Sequence, residues 1–141
     1  MKCKFLFIFC LILFTGCSNT KTLSCEIDST GEINGQGTAK EEIKIEYDSD
    51  GKDFEEISRI MTLNFDSVTM GEDEISNVVE QSKKVCDENK DNFTLCEVER
   101  DKNRIVITIS MDKDKAGSFM ENVLTYDEML KLFEDDGYSC K

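Results

Sequence analysis

The chain has 141 residues, 30 of them acidic and 17 basic, for a formal net charge of −13. That length suits one domain. The charge argues against nucleic acid and against electrostatic binding to anionic lipid, since both draw their affinity from Lys and Arg. There is no His, Trp or Pro. The commonest general base, nucleophile partner and zinc ligand is therefore missing, and Gly, Asn and Asp must make the turns.

Met1 to Lys4 form a short positive segment, and Phe5 to Phe14 run ten residues without a charge. A bilayer-spanning helix needs about 20 apolar residues, so this run has the length of a signal-peptide core and not of a permanent span. Phe14-Thr15-Gly16-Cys17 then resembles the lipobox of bacterial lipoproteins, in which small residues precede an obligatory Cys. Thr15, Gly16 and Cys17 match it, and Phe14 stands where Leu is usual. The resemblance implies that residues 1–16 are removed and that the Cys17 thiol carries a diacylglyceryl group. It also implies that the protein is held on the extracytoplasmic face of the cell membrane. Loss of Lys2 and Lys4 leaves 15 basic residues against 30 acidic ones, a net of −15. Ser18 to Ser24 is polar and reaches at most ~25 Å when extended. Residues 17–24 are read as lipidated cysteine and short tether, and 25–141 as a single extracytoplasmic domain.

Seven cysteines are present. Cys3 and Cys10 leave with the signal peptide and Cys17 is lipidated, so Cys25, Cys86, Cys96 and Cys140 remain. An even number in a small exported domain reads as two disulfides. Of the three pairings possible, the favoured one joins Cys25 to Cys140, tying the ends of the domain, and Cys86 to Cys96, closing a helix-to-strand turn. Zinc and redox readings want C-x₂₋₄-C or C-x-x-C spacing, which these cysteines lack.

Ser24 to Ile27 reads as a short strand and Ser29 to Ala39 as a Gly-rich loop. Glu42 to Tyr47 alternates, with Ile43, Ile45 and Tyr47 on one face. A turn at Asp48 to Lys52 leads to a second strand, Phe54 to Phe65, completing a hairpin. Glu72 to Glu88 changes to helical period, with Ile75, Val78, Val79, Val85 and Cys86 on one face and three acids at its positive end. Phe93 to Glu99 and Arg104 to Met111 form a second hairpin about Asp101 to Asn103. Asp112 to Asn122 is unassigned. Thr125 and Glu128 form a capping box for a helix carrying Met129, Leu130, Leu132 and Phe133, which Gly137 is placed to end. The expected fold is α+β: an antiparallel sheet of about five strands in the order βββαββα, with two helices on one face.

The lipobox, the IKIEYDSDGK strand and turn, the following helix, the RIVITISMDKDK strand and the closing TYDEMLKLFEDDGY helix together resemble the YehR-like bacterial lipoproteins. The likeness covers most of the mature chain. It implies the fold and the anchor, and brings no activity, substrate or catalytic residue. The four cysteines depart from that family, so no pairing is carried over from it.

Asp48 to Asp53 invites a calcium reading. With Gly51 at the sixth position of an EF-hand loop, however, the twelfth is Ile57 where a bidentate Glu is required. Asp112 to Asp114 fails likewise, with Val123 in that place. Gly35-Gln36-Gly37 lacks the third glycine of a dinucleotide fingerprint, and Ser18 to Lys21 fits S-x-x-K only within the tether. Asn92-Phe93-Thr94 spells a glycosylation sequon. Tyr47, Phe54, Phe65, Phe93, Phe119, Phe133 and Tyr138 suffice for a small core. No catalytic residue, metal site or cofactor is assigned. The sequence is expected to encode a non-enzymatic module binding an unknown protein or small-molecule partner. The alternatives are a passive coat lipoprotein or a carboxylate- or cation-dependent enzyme.

Overall fold

The computed structural model describes residues 20–29, 37–65, 70–116 and 124–141. Residues 1–16, read above as a signal segment, Cys17 and its neighbours, Gly35 and Gln36, and Phe119 lie outside the described residues.

Six strands form one antiparallel sheet: β1 (Lys21–Ser29), β2 (Gly37–Tyr47), β3 (Phe54–Phe65), β4 (Leu95–Asp101), β5 (Arg104–Asp112) and β6 (Ser139–Cys140). Their spatial order is β4-β5-β3-β2-β1-β6. Three helices accompany them, α1 (Glu72–Glu88), the single turn α2 (Lys113–Ala116) and α3 (Tyr126–Asp135). The fold is thus α+β with antiparallel pairing, and β6 is a strand the sequence reading did not have.

The pleat sends alternate side chains to opposite faces. Register then lines up Leu23 with Ile45, Cys25 with Ile43, Ile45 with Ile57 and Ile57 with Met111, so these share one face. Met61 with Ile107, Leu63 with Ile105 and Ile107 with Val98 extend the same face toward β4. A register shift at Glu46/Tyr47 sets Tyr47 against Phe54 rather than Glu55. The extra residue brings Phe54 onto the apolar face, where it is buried. The opposite face carries charge ladders, with Lys40 Nζ 2.9 Å from Glu26 and 3.3 Å from Glu42. Such exposed pairs contribute little stability.

Two helices cover the apolar face from its ends. Ile75, Val78 and Val79 of α1 pack with Phe65, Ile105 and Ile107. Met129, Leu130 and Phe133 of α3 pack with Leu23, Cys25, Ile45 and Tyr47. At the start of α3, the Thr125 N–H and hydroxyl both donate to the Glu128 carboxylate, at 2.9 and 2.8 Å. These bonds hold its pKa below the usual value. Gly137 ends the helix at φ 91°, a conformation glycine adopts without penalty.

Strand ends differ from the sequence reading for identifiable reasons. β1 begins at Lys21, so Lys21 to Ser24 belong to the sheet rather than to the tether, each paired with β2. β2 begins at Gly37 because its polar first half pairs with Asn64 and Phe65. A Cβ at Gly37 would collide with the Asn64 carbonyl oxygen, so only glycine permits that approach. β4 runs from Leu95 to Asp101, two residues later than read, leaving Phe93 in the turn. β6 is too short to show a period; its pairing of Cys140 with Cys25 creates it. Within the unassigned 112–122 stretch, the Lys115 N–H donates to Asp112 Oδ1 at 3.0 Å and closes the single turn α2.

The disulfides join Cys25 to Cys140 and Cys86 to Cys96, across 115 and 10 residues. These are the favoured pairs. Chain entropy scales with loop length, so replacing both Cys25 and Cys140 by Ser should lower the unfolding free energy by about 4–5 kcal/mol. The same change at Cys86 and Cys96 should cost about 2–3 kcal/mol. Urea unfolding of the two double variants measures the difference, and equal losses would contradict it.

Tyr47 is fully buried, and its hydroxyl donates to the Leu124 carbonyl at 3.3 Å. Burial, with Tyr126 nearby, pushes its phenol from 10.0 to about 12. The folded state then binds more protons than the unfolded one between pH ~10 and ~12, so stability is intact below that window and falls as pH rises through it. Tyr47→Phe should flatten this alkaline decline, as read by thermal melts at stepped pH.

Candidate functional site

β1, β2, β3 and β5 each have a partner on both sides. Where both ladders run, their backbone groups are occupied and only side chains are on offer. α1 packs toward the Phe65 and Ile105 ends of β3 and β5 and α3 over β1 and the Tyr47 end of β2, which leaves a band of Ile43, Ile57, Ile109 and Met111 between them only partly buried.

The side chains in that band are where the two halves of the core meet. Ile43, Ile57 and Met111 sit against the α3 cluster, and Ile109 and Met61 against the α1 cluster, all only partly buried. A depression of about 240 Å³ lies there, lined by Ile43, Ile57, Arg59, Phe93, Ile109 and Met111. A second, of about 220 Å³, adjoins it through Ile109 and reaches Val85, Ser82 and the Cys86–Cys96 bridge. Val85 is 51% exposed. Among the described residues the two form a continuous, mostly apolar strip open to solvent.

Among the residues lining the two depressions Arg59 is the charged one. It occupies a place in β3 where alternation puts Ile57 before it and Met61 after it. Its Nε donates to Glu41 Oε1 at 2.6 Å, while the guanidinium side chain stays half exposed. The Tyr138 phenol belongs to the same group. Burial raises its pKa first, and the Glu41 carboxylate adds to the rise. The strip can thus receive apolar groups along its length and offers one hydrogen-bonding point near its middle.

The other candidates are accounted for by the turns they make. Asp48 Oδ1 accepts the Lys52 N–H at 2.9 Å and the Asp53 N–H at 3.3 Å, which lowers its pKa. Glu55 pairs with Lys113 at 2.9 Å. Among the described residues, no three His, Cys, Asp or Glu side chains converge on a metal-sized site, and no helix is long and apolar enough to cross a membrane. Asn92 lies in the turn after α1, its side chain 3.5 Å from Asn89 Oδ1. Cys25, Cys140, Cys86 and Cys96 stand in the bridges, and Cys17 is outside the described residues. The sequence reading missed the strip. Its one visible signal was Arg59 inside an otherwise apolar alternation.

No protein-family model matches the chain, and no curated protein matches it. A solved NMR structure of a protein from Streptococcus pneumoniae TIGR4 is similar, with a TM-score of 0.52 at 12% identity over 100% of this chain and 96% of that one. The likeness is one of fold.

The strip predicts a contrast along one strand. Ile105 is fully buried, and Ile109 lines the open depressions. Ile105→Ala should cost about 4 kcal/mol and Ile109→Ala about 2 kcal/mol or less, measured by chemical denaturation. Equal costs would mean that the strip is covered.

Proposed function

We propose that this protein is a lipid-anchored, extracytoplasmic binding module of the bacterial cell membrane, a YehR-like lipoprotein in build. It acts without catalysis, and the strip between α1 and α3 is its contact surface. The observation that carries the binding reading is that strip. A fold that covers its sheet face from both ends, yet leaves Ile43, Ile57, Ile109 and Met111 partly open among the described residues, has apolar surface available to a partner.

The anchor reading rests on the Phe14-Thr15-Gly16-Cys17 sequence and is supported by the two disulfides, which persist in oxidising compartments. It also carries a geometric consequence. Lys21 is fixed: its ammonium lies 3.7 Å from the Tyr126 ring centroid and 3.7 Å from Asp127 Oδ1. Cys17 is four residues earlier, so its Cα lies within ~14 Å of that of Lys21. On this reading the turn at Asp48 to Asp53 and the start of α3 are the end of the domain nearest the bilayer. Acids concentrated there are repelled by anionic headgroups, so the covalent lipid holds the domain while the field keeps it off the surface.

Intact-mass analysis of the protein extracted from the membranes of producing cells is the test. The expected mass lacks residues 1–16, carries a diacylglyceryl group on Cys17 and is four hydrogens short for two bridges. Cys17→Ala should abolish the lipid adduct and move the protein out of the membrane fraction. A mature chain with an unmodified Cys17 would overturn the anchor.

A further inference from the structure

The two bridges stand in different surroundings. Cys25 is 1% exposed and lies in the cluster of Leu23, Met129 and Phe133. β1 and β6 hold it in register with Cys140, and Ser24 and Lys141 exchange backbone bonds beside it at 3.3 and 2.8 Å. Thiol–disulfide exchange needs access to one sulfur and releases the other as a thiolate. Burial blocks attack on Cys25. Attack on Cys140 would release the Cys25 thiolate among apolar side chains, where an unpaired charge is costly. Cys86 and Cys96, by contrast, are both partly exposed and line an open depression next to the exposed Val85. Exposed bridges are the labile ones. From this contrast, and from what the bond holds, we infer that Cys86–Cys96 is a reducible lock on the end of α1, opened by a dithiol, while Cys25–Cys140 stays closed. The lock is a property of the fold and does not rest on the binding reading above.

The bond holds the part of α1 that has least else to hold it. The first half of the helix is well attached. Glu74 accepts the Gly71 N–H at 2.9 Å, and Ile75 is buried. Arg100 of β4 donates to Ser76 Oγ at 2.8 Å and to Glu72 Oε1 at 2.7 Å. Val78 and Val79 continue the packing. From Glu80 to Glu88 every side chain is exposed except Ser82 and Cys86, which are partly buried. The Ser82 hydroxyl donates to the Val78 carbonyl of its own helix, and Lys84 pairs with Glu88 on the helix surface. Neither contact reaches the sheet. Asp87 and Glu88 stand at the negative end of the helix dipole, with no basic residue in the last turn. A released segment of this length is too short to stay helical alone.

Reduction runs in two exchanges. The reductant's first thiolate attacks one sulfur of the bridge, and the other leaves as a thiolate and takes a proton. Its second thiolate then attacks the mixed disulfide and frees the remaining cysteine. Two electrons and two protons pass to the protein, and the dithiol departs as a disulfide. Once reduced, Cys86 moves away with the helix end, whereas β1 and β6 would keep Cys25 and Cys140 together. Ser82, Val85 and Cys86 form the α1 side of the second depression, so the oxidised bond is what keeps that wall standing.

The test uses the full chain, purified with both bridges formed and exposed to graded dithiothreitol under native conditions. Free thiols are trapped by alkylation, and peptide mass mapping reads which cysteines carry label. Cys86 and Cys96 should be labelled about tenfold faster than Cys25 and Cys140. At that stage hydrogen exchange should show the amides of Glu80 to Glu88 losing protection by about tenfold, with Ile75 to Val79 and strands β1 to β3 unchanged. Reoxidation should restore the protection. The double variant carrying Cys86→Ser and Cys96→Ser should show the same local loss without reductant. Equal reduction of the two bridges, unchanged protection at the end of α1, or loss of protection across the sheet would each overturn the lock. A double variant that fails to fold would overturn it too, since the bond would then hold the whole domain and not the helix end.

Discussion

The structure depends on the one-sidedness of its sheet. Because side chains alternate with a strict period of two, register alone puts Leu23, Ile45, Ile57 and Met111 on one face, with Leu63 and Ile105 farther along it. A slip of one residue in β3, the strand that joins the two hairpins, would send Ile57 and Leu63 to the opposite face. The single extra residue at Glu55 is placed where it corrects the parity for Phe54. Every other packing arrangement follows, since a face that is apolar throughout must be covered and the helices are what covers it.

Cover is incomplete because α1 and α3 both settle at the outer strands. The backbone of α1 comes nearest β4 and that of α3 nearest β6 and β1, and β4 and β6 are the two strands with sheet edges to protect. Covering edges and covering the centre compete for the same two helices. The single turn α2 contributes Ala116 to the core near α3 but is too short to roof the band. The middle of the sheet therefore retains Ile43, Ile57, Ile109 and Met111 in partial burial, and Arg59 occupies the position where full burial of a charge would be costly.

Much of this was legible in the sequence and some was not. β3 and α1 match their sequence ranges at both ends. The first is flanked by a Gly-containing turn and the second opens with three acids, so local chemistry marked their ends. The capping pair Thr125 and Glu128 did the same for α3. The first half of β2 and the whole of β6 were not legible, because Gly37 to Lys40 and Ser139 to Cys140 have no pattern of their own. They are strands because neighbouring strands present open ladders to them. Phe93 read as strand and core yet lines the strip from a turn, since its neighbours Asn92 and Thr94 fit the turn as well as the ladder. The strip itself could not be read at all. Ile57 and Ile109 look like core residues in sequence, and what leaves them partly open is the distance between two helices far apart in the chain.

Covalent bonds reinforce the placement of the helices. The free energy of burying apolar surface favours any shift of α1 or α3 toward the centre of the sheet. Of α1, Ile75 is the buried side chain, and the helix near Val85 has few apolar contacts to keep it at the edge. The Cys86–Cys96 bridge supplies the missing restraint by tying this half of α1 to β4. At the other side the Cys25–Cys140 bridge fixes the strand that follows α3 to β1, while the Tyr126 N–H donating to the Gly51 carbonyl at 2.8 Å fixes its start. The bridges therefore do more than restrict the unfolded chain. They also fix where α1 and the strand after α3 meet the sheet, since one bridge ties Cys86 of α1 to Cys96 of β4 and the other Cys140 of β6 to Cys25 of β1.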